Sequence, residues 1–163
     1  MDYRGLQGRF RPDPQGLVDN VLRKGTPERV YHIELFQDAE IRDAIAERFG
    51  LPRNVRRGDP DYERWKYVEV QRFCGFDYVR VGLVGLGIEP RRHATADTAG
   101  LVRTGGRSFQ DEHTGPIASW SDFERYPWPD PSLPEATAEL ELYQRNLPED
   151  MCIIGSGGFA HFA

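Results

Sequence analysis

Apolar residues recur at helical spacing in several stretches, and each stretch is bounded by a residue type that starts or stops a helix. Leu17, Val18, Val21 and Leu22 form one stripe, with Asp13 placed as a cap, Pro14 in the first turn and Gly25 as the stop. The spacing predicts a helix over residues 14–24. Ile41, Ile45 and Phe49 repeat the pattern between Asp38 and Gly50. Tyr62, Trp65, Val68 and Phe73 give a broad apolar side to a third helix, which opens at Asp59-Pro60 and stops at Gly75. Ser119-Trp120-Ser121-Asp122 reads as a capping box for a brief helix through Tyr126. Pro127, Pro129 and Pro131 then enforce an extended path. Ser132-Leu133-Pro134-Glu135 opens a last helix to about Asn146, with Ala136, Leu140, Tyr143 and Leu147 as its stripe.

Between the helices lie three runs that favour strands: "RVYHIEL" (29–35), "FDYVRVGL" (76–83) and "DMCIIG" (150–155). Helices alternating with strands predict an α/β protein with a parallel sheet of right-handed βαβ units. Residues 84–119 break the rhythm, and turn signals near Gly100 and at Gly105-Gly106 predict a β-hairpin excursion. The chain closes on "CIIGSGGFAHFA", an apolar run that passes into glycines with no helix after it. A terminal parallel strand with one face uncovered is costly. That favours an early slice of a (β/α)8 TIM barrel over a complete open sheet. The expectation is a single partial domain: an N-terminal arm over 1–13, the first three βα strands of a barrel, and a hairpin excursion over 84–119 after the second strand.

Composition narrows the function classes. With 39% hydrophobic and 29% charged residues, the 163-residue chain reads as a soluble globular protein rather than a disordered one. A net charge of −5 argues against a general nucleic-acid binder. Arg53, Arg56 and Arg57 cluster beside Gly and Pro and read as a solvated loop. No apolar run approaches the roughly 20 residues a membrane span needs, so no membrane partner is expected. The opening "MDYRGLQGRFRPDPQG" lacks the apolar core of a signal peptide. Cys74 and Cys152 lack metal-site spacing and read as buried free thiols in a reducing cytoplasm.

One stretch is specific enough to suggest kinship. "DEHTGPIASWSDFERYPWPDP", residues 111–131, resembles the N-terminal half of uroporphyrinogen-decarboxylase-like proteins, a superfamily of haem-pathway decarboxylases and corrinoid-dependent methyltransferases. "VLRKGTPERV" (21–30), "GFDYVRVG" (75–82) and "GSGGFAHFA" (155–163) are similar to its first-strand approach, second strand and third-strand loop. The resemblance implies a (β/α)8 barrel with its site at the C-terminal strand ends. It also implies that this chain covers the first half or less of that barrel and is inactive alone. Decarboxylase members carry an Arg-Gln-Ala-Gly-Arg grip for substrate carboxylates after the first strand. The corresponding place here reads Phe36-Gln37-Asp38-Ala39-Glu40, without the arginines, which points away from porphyrinogen decarboxylation and towards the methyltransferase branch. There the family moves a methyl group between a corrinoid and a thiol at zinc. Its zinc ligands lie in the second half, so zinc and a corrinoid belong to the complete protein and no cofactor to this chain. The implied partners are a small-molecule substrate or a corrinoid protein. The alternatives are uroporphyrinogen decarboxylase proper, or a non-enzymatic ligand-binding or assembly module that self-associates or needs a complementing chain.

Several residues carry candidate chemistry. His32 and Glu34, two apart on the expected first strand, share a face and could form a polar pair in a barrel mouth; the alternative is an internal pair satisfied by neighbours. Arg80 on the second strand could hold an anionic ligand or enter a structural ion pair. Ser156, Gly157 and Gly158 offer a backbone that a substrate can approach closely, and His161 could reach that site. The Lys-Ser/Thr ending of a nucleotide loop is missing. His93 and His113 read as surface residues, and Trp120, Tyr126 and Trp128 as packing anchors for the proline segment.

Overall fold

The structure, a computed structural model, describes residues 10–34, 37–83, 91–101, 103, 105–128, 130, 132 and 135–156. The elements run α1 (Pro14–Val21), α2 (Ala39–Phe49), α3 (Tyr62–Phe73), β1 (Tyr78–Gly82), β2 (Arg92–Thr95), β3 (Arg107–Gln110), α4 (Trp120–Arg125), α5 (Glu135–Asn146) and β4 (Cys152–Ser156). Two compact units emerge: Met1–Val81 with Tyr143–Ile154, and Gly82–Leu142 with Gly155–Ala163.

The first unit packs around α2 and α3. α2 stops where the pattern asked, because Gly50 takes a left-handed conformation, φ 64°, that other residues adopt at a cost. The turn sends the Leu51 N–H back to the Ala46 carbonyl at 2.8 Å and carries Leu51 inward. Ala46, Leu51 and Val70 form the buried cluster, ringed by Ile45, Phe49, Phe73 and Cys74. The Phe49 and Phe73 rings meet at 4.3 Å. α1 is shorter than its pattern, ending at Val21 rather than residue 24. It buries only Leu17 of its stripe; Val18, Val21 and Leu22 stay exposed.

β1 and β4 pair in a two-stranded sheet. Cys152 N–H donates to Asp77 O and Leu83 N–H to Ser156 O, both at 3.0 Å. The partners advance together along both strands, so the pair is parallel. Alternation then turns the backbone groups of Tyr78, Arg80 and Gly82 towards β1's other edge. At Arg80 a side chain closes that edge. The Tyr67 phenol, from α3, accepts the Arg80 N–H at 3.0 Å and donates to the Arg80 carbonyl at 3.3 Å.

The expected first strand does not form. Residues 29–34 carry no strand, and Val30 and Ile33 are 81% and 56% exposed. The Glu34 N–H donates to the Tyr78 phenol at 2.9 Å, and the same hydroxyl donates to the Glu34 carbonyl at 3.2 Å. Two tyrosine hydroxyls thus supply partners that a strand ladder would have supplied. A partial (β/α)8 barrel of three parallel βα strands is therefore overturned: among the described residues there are five helices and two two-stranded sheets.

In the second unit β2 and β3 pair antiparallel, with Arg92 opposite Gln110 and Thr95 opposite Arg107. Almost every side chain of this hairpin faces water, and two stranded ribbons of that kind need extra ties. Two aspartates provide them. Asp97 accepts from Arg107 Nε at 2.7 Å, Ala99 N–H at 3.0 Å and Arg103 N–H at 3.2 Å. Asp111 accepts from the Thr114 hydroxyl, from His113 N–H at 2.9 Å, and pairs with His93 Nε2 at 3.1 Å. The Arg107 bond, followed by the backbone donors, pulls the Asp97 carboxyl down to about 2. The Thr114 hydroxyl and its neighbours hold Asp111 well below the usual carboxylate range. A carboxyl depressed by folding stabilises above its unfolded value and loses that contribution as pH falls through the folded one. The hairpin should therefore hold at pH 5 and loosen as the pH drops from near 4 to about 2, read as faster amide exchange at residues 92–95 and 107–110. Unchanged protection across that window would contradict the role given to the two aspartates.

Candidate functional site

A polar clasp in the first unit gathers around Asp77, the residue that enters β1. Asp77 is fully buried. Its Oδ1 accepts the Asp13 backbone N–H at 2.6 Å and the Arg29 guanidinium, while Oδ2 has no hydrogen bond among the described residues. Arg29 lies over the rings of Phe10, at 4.8 Å, and Tyr31, at 4.5 Å. Asp13 caps α1 by accepting the Gly16 N–H at 2.9 Å and takes the Tyr31 hydroxyl at 2.8 Å. A Cβ at position 16 would fall 1.9 Å from the Tyr31 oxygen and 2.1 Å from the Asp13 carboxylate, so a larger residue there would push those two side chains aside. The Gly16 and Tyr31 bonds lower the Asp13 carboxyl, and the Asp13 bond raises the Tyr31 phenol. The clasp neutralises a buried carboxylate and sits at the entry end of β1. Ligands of parallel sheets bind at the opposite end. Its work is to hold residues 10–31 against the sheet.

A groove of about 430 Å³ opens between α2 and α3, lined by Asp43, Glu47, Tyr62, Glu63 and Lys66 together with Arg57. Lys66 bonds Asp43 at 2.7 Å and Glu63 at 2.5 Å and lies 5.8 Å from the Tyr62 ring centre. Burial works against its charge, but the two carboxylates outweigh that and raise its pKa. Lys66 therefore stays an ammonium at neutral pH. It can pair with an anion, but it cannot serve as an amine nucleophile or base.

The sequence candidates are placed as follows. His32 and Glu34 lie on the non-strand segment, both exposed, and no sheet face brings them together. The His32 ring sits edge-on to Phe76 at 6.2 Å. Arg80 is in β1, half-buried, with its backbone held by Tyr67. Ser156 ends β4 and accepts the Leu83 N–H on its carbonyl. Phe36, Gly157, Gly158 and His161 lie outside the described residues. Cys74 and Cys152 are free and half-buried, and burial pushes both thiols up. Neither is primed as a nucleophile. Among the described residues no three His, Cys, Asp or Glu side chains gather to hold a metal ion, and no helix is long and apolar enough to cross a membrane.

Sequence reasoning missed Arg29, Tyr67 and Asp77, and it found Asp13 only as the cap of α1. A signal existed only for Asp77, an acid at the head of the apolar run Tyr78-Val79-Arg80-Val81. An acid so placed must find a cation when the strand is buried. Searches against models of known families, curated proteins and solved structures find no match for this chain.

Proposed function

We propose that this chain handles a corrinoid as a component of the uroporphyrinogen-decarboxylase-like kind, on its methyltransferase side, in the reducing cytoplasm. What carries this reading is the stretch 111–131, whose wording is the most specific in the chain. Its described residues bond one another. Asp111 gathers the turn at His113 and Thr114, Ser119 and Asp122 cap each other, and Trp128 closes onto the Phe123 carbonyl. The arginine-free, acidic run at 36–40 weighs against a polycarboxylated porphyrinogen, which it would repel. β1 and β4 end side by side at Gly82 and Ser156, the end at which parallel strands present ligands. The reading concerns ligand chemistry, and the barrel is no part of it.

Zinc does not fit the residues present. A zinc site needs at least three protein ligands, and among the described residues no three His, Cys, Asp or Glu side chains gather to hold a metal ion. No methyl-transfer step is therefore assigned to the chain alone; its partners are a small-molecule substrate or a corrinoid-carrying protein. Equilibrium dialysis of the purified chain against methylcobalamin, and in parallel against uroporphyrin III, tests this. Retention of the corrinoid with passage of the porphyrin is expected. Retention of neither overturns the reading, and preferential retention of uroporphyrin moves it to the decarboxylase side.

A further inference from the structure

The groove beside α2 and α3 holds two charged side chains that the fold leaves unmatched. Asp43 and Glu47 stand one turn apart on α2, and Tyr62, Glu63 and Lys66 share a side of α3. Lys66 ties the two helices together, because its ammonium bonds Asp43 on α2 at 2.7 Å and Glu63 on α3 at 2.5 Å. Its side chain is only 14% exposed, so this link is sheltered and sets the width of the groove. Those three charges satisfy one another. Arg57, from the loop between the helices, and Glu47, from the last turn of α2, do not. Both are exposed, and among the described residues neither side chain makes a hydrogen bond or an ion pair. A free cation and a free anion thus line one space of about 430 Å³ and stand too far apart to pair. Ala46, Gly58 and the Tyr62 ring complete the lining.

We propose that this groove binds a small zwitterion, a molecule with one free ammonium and one free carboxylate, as free amino acids and dipeptides have. Arg57 takes the carboxylate with its two-pronged guanidinium, and Glu47 takes the ammonium. Other ligand classes meet the wrong charge. A phosphate or polyanion would face Asp43, Glu47 and Glu63, and a polyamine would face Arg57. A neutral apolar molecule would strip water from both free charges and replace none of it. A zwitterion satisfies both at once and leaves Lys66 in its own pairs. The size agrees, since small-molecule sites run from about 300 to about 1,000 Å³. Two charge pairs open to water give a modest affinity, with Kd about 0.1–1 mM.

Amide chemical shifts of the full chain, titrated to about 50 mM with L-leucine and separately with L-alanyl-L-leucine, read this directly. Saturable shifts at Glu47, Arg57 and Gly58 are expected, and the tighter of the two probes tells a free amino acid from a dipeptide. The N-acetylated form of that probe, which lacks the ammonium, and its C-terminal amide, which lacks the carboxylate, should each bind at least about fivefold more weakly. Arg57→Met should weaken the zwitterion about as much while leaving the amide's affinity as it was. Glu47→Gln should do the same with the acetylated form spared. Both residues are exposed, so the variants keep the fold, checked by an unchanged thermal melt. No saturable shift with either probe overturns the proposal. So does a zwitterion that binds no better than its blocked forms, or one indifferent to Arg57→Met. Inorganic phosphate shifting the same amides while both probes fail assigns Arg57 to anions and overturns it as well.

Discussion

Arg29→Met should destabilise the first unit by about 3 kcal/mol, the low end of the range for stripping one partner from a buried ion pair. The cost comes from Asp77, not from a lost attraction alone. Asp77 has no exposure, and among the described residues its Oδ2 has no partner and the Asp13 N–H is the only other donor to its Oδ1. Without the guanidinium, a carboxylate would sit in the interior with one backbone bond, and such a charge costs several kcal/mol. Arg29 itself keeps a side-chain exposure of 30%, so water softens the loss and the low end of the range applies. The double variant Arg29→Met/Asp77→Leu should recover most of the stability, because removing both charges removes the desolvation cost with them. Urea unfolding of the two variants and the parent, extrapolated to water, measures both effects. A loss below about 1 kcal/mol for Arg29→Met, the level of a surface pair, would mean that Asp77 is not sealed as described.

Tyr67→Phe should cost about 1–3 kcal/mol, the cost of leaving a buried backbone group without its bond. The phenol oxygen is the partner of both the Arg80 N–H and the Arg80 carbonyl. Burial raises the Tyr67 phenol, consistent with a hydroxyl kept neutral inside the fold. The same deletion on a solvated ring is worth far less, so Tyr31→Phe is a useful internal contrast. Among the described residues its hydroxyl bonds only Asp13, in an exposed setting. Beyond the stability loss, the Arg80 amide should exchange faster in Tyr67→Phe than in the parent while its neighbours at Val79 and Val81, turned towards β4, keep their protection. Equal exchange at Arg80 in both proteins would show that the phenol is not its partner.

Helix ends were legible because their signals are local. Gly50 stops α2, Asp13 and Pro14 open α1, and Ser119 with Asp122 opens α4, all within a few residues of the feature they determine. The run 29–35 was not legible, although Val30, Tyr31 and Ile33 favour a strand. A strand exists through its neighbour, and β1's available edge is occupied at Arg80 by a tyrosine that belongs to α3. Nothing in the local spelling of residues 29–35 records that occupation. With that strand gone, the shared face assumed for His32 and Glu34 goes too, since the period of two holds only along a strand. The aromatic segment was half legible. Trp120, Tyr126 and Trp128 do pack in one group with Phe123, but a helix of six residues is too short to bury them, and the rings stay open to water. The pairing of Arg29 with Asp77 joins residues 48 apart, a distance over which charge pattern gives no guide to partner choice.

The central structural claim is that β1 has β4 on one side and a tyrosine hydroxyl, not a third strand, on the other. Nuclear Overhauser contacts between backbone protons decide it most directly. Contacts linking Val79 and Val81 to residues 152–154 are expected, with no ladder of contacts between residues 30–34 and 78–82. A regular series of contacts joining 30–34 to 78–82 would contradict the account and restore the third parallel strand.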